Sequence, residues 1–96
     1  MELIMSIGDV TTIANIGNVI VGGNPEITKY DISKLCKKDE NVVIRSDGQE
    51  FIFKVQDIRF SYSMSEKVII SLKLEESENF NKIKPGDLVF KDNGKQ

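Results

Sequence analysis

The chain has 96 residues, 40% of them apolar and 29% charged, the proportions of one ordinary globular domain able to bury a single core. Its 13 basic and 15 acidic residues are interspersed and sum to −2, which argues against a protein that grips long nucleic acid by neutralising phosphates. Histidine is absent and cysteine occurs once, at Cys36, which removes the commonest general base, an intramolecular disulfide and any ordinary zinc site.

The N-terminal run Met1 to Ile7 is apolar but too short for a signal peptide core, and it lacks a basic flank. No apolar run approaches the length that spans a bilayer, so the expectation is a cytoplasmic protein with no membrane association. From Leu3 to Ile16 short apolar clusters alternate with small polar residues. The β-branched run Val10-Thr11-Thr12-Ile13 and glycine-rich flanks favour strand over helix. Asn15-Ile16-Gly17-Asn18 reads as a hairpin connection. Val19-Ile20-Val21 is a second strand, and the double glycine Gly22-Gly23 reads as the turn that ends it.

Asn24 to Lys38 predicts loop, with Asp31 placed to cap a single helical turn. Cys36, lying between Leu35 and Lys37, reads as a small apolar filler, because no imidazole exists to form a thiolate pair. Lys37 to Asn41 is a charged turn whose Asp39 and Glu40 offset the two lysines. Val42 to Arg45 is a strand, followed by the strongest local signal in the chain. Asp47-Gly48 between two β-rich runs predicts a type I′ hairpin turn, which needs positive φ at both central residues. On the return strand, Glu50 to Phe60, the residues Phe51, Phe53 and Val55 share one face while Ile58 and Phe60 have the opposite parity. One extra residue near Gln56-Asp57 restores the register, which predicts a β-bulge.

Phe60 to Glu66 is a serine-rich link in which Tyr62 and Met64 either form an exposed tip or, the favoured reading, tuck over a rim. Lys67 to Leu74 alternates cleanly, with Val68, Ile70, Leu72 and Leu74 on one face. Glu75, Glu76 and Glu78 end that strand in solvent and do not form a shared acid–base site. A polar loop leads to Lys84-Pro85-Gly86-Asp87, where proline and glycine suit the second and third positions of a type II turn. Leu88-Val89-Phe90 begins a last strand, and a polar tail is expected from about Lys91. The whole predicts an all-β chain forming a small closed or nearly closed antiparallel β-barrel of six to seven strands.

Several of these segments, in this order, resemble the second domain of translational GTPases such as elongation factor Tu. They are Asp9-Val10 with Ile13, Gly17 to Gly23, Asn41 to Ile44, Val55 with Asp57-Ile58, and Ile83 with Gly86 to Val89, together covering roughly residues 7 to 90. The glycine that the family places before its first Val-x-Ile strand is missing from Leu35 to Val42, and the expectation is a barrel standing without a GTPase domain. The resemblance implies a fold and little about activity. In the full factors this barrel touches the GTPase domain and the acceptor end of aminoacyl-tRNA, and no such contact residue carries over by motif.

No catalytic constellation, cofactor motif or metal-ligand spacing is visible, so the expectation is a non-enzymatic binding module that uses no cofactor. Its partner is expected to be a protein, with the chain acting as an inhibitor, immunity or accessory factor. The alternative is a module that binds RNA or the ribosome; no DNA partner is expected. Candidate contacts for either partner are Arg59, Tyr62, Met64 and Lys67, since an aromatic ring beside cations can stack a base and hold a phosphate.

Overall fold

The computed structural model describes residues 2–26, 36–62 and 67–92. Six strands carry the fold: β1 Leu3–Ile13, β2 Gly17–Gly23, β3 Asn41–Ser46, β4 Gln49–Tyr62, β5 Val68–Leu74 and β6 Leu88–Lys91. They pair antiparallel around a closed ring in the order β1-β2-β5-β4-β3-β6, with β6 returning to β1. The expected all-β barrel is therefore present, with six strands.

Local chemistry sets most of the corners. Asp47 and Gly48 have φ of 50° and 82°, the mirror-image turn that matches the right-handed twist of β3 and β4, and Ser46 pairs with Gln49 across it. Gly86 has φ of 97° after Pro85, and the Asp87 amide donates to the Lys84 carbonyl at 3.1 Å, which closes the predicted turn. The side chain of Asp87 also accepts from the Lys84 amide at 2.8 Å. The register of β4 against β5 shifts between Val55 and Asp57, at the predicted bulge. That shift lets β4 leave β3 and continue along β5. Its first six residues, Gln49 to Lys54, pair with β3, and Val55 onward pairs with β5.

One contiguous core fills the ring. Ile4, Met5, Ile20, Ile44, Phe53, Val55, Ile70, Leu72, Leu74 and Val89 are all but sealed from water, with Phe51, Ile58 and Val68 packed against them. The region between β5 and the Pro-Gly turn, expected as a polar loop, contains a 3-10 helix, Glu78–Lys82. Ser77 caps it by accepting from the Asn79 amide at 3.1 Å, satisfying a donor that a helix start leaves free. The short helix swings Phe80 inward, where it meets Phe53 edge-on with ring centres 6.5 Å apart. Ser46 donates to the Lys82 carbonyl at 3.3 Å and ties the β3–β4 hairpin to this helix.

One expectation about the strands needs correction here. Gly22 and Gly23 do not form a turn: both lie within β2, paired with Ile7 and Ser6 on one side and Ile70 and Ile69 on the other. A β-carbon on Gly22 would overlap the Ser6 carbonyl oxygen and stand 2.9 Å from its carbonyl carbon. Glycine is needed there because the β1 backbone presses on β2 beside the irregularity between Ile7 and Asp9. The polar tail expected from about Lys91 adjoins β6, which ends at Lys91. Lys91 still belongs to β6, pairs with Val42 and donates its amide to the Glu2 carbonyl at 2.8 Å. The helical turn expected at Asp31 lies outside the described residues.

Candidate functional site

The ribbon formed by the outer halves of β4 and β5 carries Arg59 and Tyr62, two of the residues singled out from the sequence. Strand alternation divides them between two faces. Ile58, Phe60 and Tyr62 pair with Leu72, Ile70 and Val68, the residues of β5 that look toward the core. Arg59 and Ser61 pair with Ser71 and Ile69, which look outward, and Lys67 stands exposed just before β5. Tyr62 and Arg59 are thus not brought together on one surface. Met64 lies outside the described residues.

Phe60 and Tyr62 take core parity, yet they are 45% and 51% exposed. Tyr62 does not tuck over the rim as expected. The reason lies in the topology: β3 stops accompanying β4 at Lys54, so past the bulge the inner side of β4 faces no paired strand opposite β5 among the described residues. Two aromatic rings two residues apart stand at that margin.

On the outward face, a groove of about 370 Å³ lies between the β1–β2 hairpin tip and the ribbon, lined by Ile13, Asn15, Ile16, Val19, Asp57, Arg59, Ser71 and Lys73. Register explains why residues so distant in sequence meet: Val19 pairs with Lys73, which pairs with Asp57, and Val21 pairs with Ser71, which pairs with Arg59. Asn15 at the tip has φ of 67°, which asparagine tolerates, and the Ile16 amide closes the turn onto the Ile13 carbonyl at 3.0 Å. The tip is Ala14 to Ile16, so Gly17 and Asn18 already belong to β2 and not to the connection. Without a side chain, Gly17 leaves space for the Lys73 stem: a β-carbon there would lie 3.4 Å from Lys73 Cε.

Cations elsewhere on the barrel are differently placed. Arg45 contacts Glu50 at 2.8 Å and lies 4.8 Å over the Phe90 ring, while Lys84 reaches Asp47 at 2.5 Å, which raises its pKa. Arg59 touches Asp57 only at 3.5 Å, its side chain 82% exposed. Cys36 is buried in the core at 3% exposure, and desolvation, aided by the Glu40 carboxylate, pushes its thiol from 9.0 up to about 11. It is therefore a packing residue and a poor nucleophile at neutral pH.

Among the described residues no cluster of three Asp, Glu or Cys side chains is placed to hold a metal ion, and no helix is long and apolar enough to cross a membrane. Fold and surface together define a six-stranded antiparallel β-barrel with a two-faced ribbon. Compared with known protein families, with curated proteins and with solved structures, the chain gives no match.

Proposed function

We propose that this chain is a non-catalytic binding module that works through a protein partner, as an inhibitor, immunity or accessory factor in the cytoplasm. The observation that carries the reading is the pair Phe60 and Tyr62, half-exposed on one side of β4. Aromatic side chains offer large contact area at little conformational cost, and they are enriched where protein interfaces bury their centre. A protein partner is favoured over RNA because Arg59 lies across the strand from Tyr62, so ring and guanidinium do not serve one nucleotide. The kinship with the translation-factor barrel belongs to the same proposal. It is supported by where the quoted segments fall: on β1, across the whole of β2, on β3, at the β4 bulge and at the Pro-Gly turn into β6.

The test is affinity capture from the source cell with three baits: the native chain, the double variant Phe60→Ser/Tyr62→Ser, and Ile52→Ser as an exposed apolar control on the Gln49–Lys54 half of β4. One protein retained in near-stoichiometric amount by the native and Ile52→Ser chains, and lost with the double variant, is the expected result. Equal retention by the double variant, or nothing above background for the native chain, refutes the reading.

A further inference from the structure

We infer that the outward groove binds an acidic peptide segment in which an apolar side chain sits next to a carboxylate. Its volume of about 370 Å³ admits a side chain or two with their backbone and excludes a large cofactor. One wall is hydrocarbon, from Ile13, Ile16 and Val19, and Ile13 and Ile16 are otherwise exposed at the hairpin tip. The facing rim carries Arg59 and Lys73, with Ser71 and Asn15 to meet a peptide backbone.

Charge decides the class of occupant. Two cations face one carboxylate, leaving the groove net positive on a chain whose sum is −2. Asp57 neutralises Arg59 weakly, because its Oδ1 accepts from the Ile58 amide at 2.9 Å at the bulge and only Oδ2 reaches Arg59, at 3.5 Å. The Lys73 side chain makes no hydrogen bond or ion pair among the described residues. An arriving carboxylate therefore finds a guanidinium fork with donors to spare and an ammonium beside it, the geometry that yields strong charge-assisted hydrogen bonds. A simple hydrocarbon acid would satisfy the cations but leave Asn15 and Ser71 unused. This inference is independent of Phe60 and Tyr62, which lie on the other side of β4.

The experiment titrates the full chain, labelled with nitrogen-15, with acetyl-Leu-Glu-Leu-Glu-amide and follows amide shifts by NMR. The expected result is saturable shifts confined to Ile13 to Val19, Asp57 to Arg59 and Ser71 to Lys73. The glutamine-for-glutamate peptide should bind about tenfold more weakly, the factor that follows from losing one charge-assisted contact. Lys73→Glu and Arg59→Glu, both on the groove rim, should weaken binding by about the same factor, while Ile52→Ser, exposed on the other half of β4, leaves it unchanged. The inference is overturned by absent groove shifts at several millimolar peptide, by equal binding of the glutamine peptide, or by octanoate moving these amides when the peptide does not.

Discussion

Replacing Gly22 by alanine puts a single methyl group where the β1 backbone presses on β2. The new carbon would overlap the Ser6 carbonyl oxygen and crowd its carbon and the Ile7 Cα, at 2.9 and 3.1 Å. The obstacle is backbone, so no rotamer change relieves it, and β1 must retreat from β2. Retreat stretches the ladder around Ile7–Gly22 and withdraws Met5 and Ile7 from the core. Overpacking of this kind costs about 1–3 kcal/mol, and each weakened backbone hydrogen bond adds about 1 kcal/mol, so the loss should reach ~3–4 kcal/mol. A domain of this size has roughly 5–14 kcal/mol in hand and loses about 4–8 °C of melting temperature per kcal/mol, which predicts a drop of about 12–30 °C. Chemical denaturation followed by far-UV circular dichroism measures this directly. Gly8→Ala is the matched control: its β-carbon would meet only the Val21 carbonyl oxygen, at an ordinary 3.5 Å. Should Gly22→Ala fall within 1 kcal/mol of Gly8→Ala, the close approach of β1 and β2 is not what requires glycine.

Two further outcomes follow from the core. Phe80→Ala removes a buried ring packed against Phe53 and should cost about 3–5 kcal/mol in a denaturant titration, whereas truncating the exposed Glu78 beside it should change stability by less than about 0.5 kcal/mol. The Cys36 thiol ionises near 9.0 when the chain is unfolded and at about 11 when it is folded, so the native state holds the proton longer. Its folded pKa is raised, so stability should fall as pH rises from about 9 to about 11, and a Cys36→Ala chain should lack that part of the slope; equal slopes for the two chains would contradict the buried-thiol assignment.

What was legible in the sequence was local or strictly periodic. The Asp47-Gly48 turn needs only the φ preferences of two residues. The β5 stripe Ile70, Leu72, Leu74 needs only a period of two, and the bulge at Gln56 follows from a parity break within one strand. Gly22-Gly23 misled because the demand for glycine comes from Ser6, sixteen residues earlier, and not from the chain's own bend. Phe80 was hidden in a polar stretch because a helix of five residues is too short to show a period. Phe60 and Tyr62 have the parity of core residues, and nothing near them in sequence reveals that β3 stops short of them. The groove was equally invisible, since register alone brings Val19, Lys73 and Asp57 into one row.

β6 is a keystone: four residues wedged between β1 and β3, through which the opening and closing stretches of the described chain become neighbours. Until it is seated, β1 and β3 each present a bare flank of amide and carbonyl groups to any other strand nearby. Loosening Leu88 to Lys91 would therefore do more than lower stability, because it would turn a self-contained cylinder into a curled sheet with two adhesive borders. The few residues at that joint thus keep both borders covered as well as holding the ring closed.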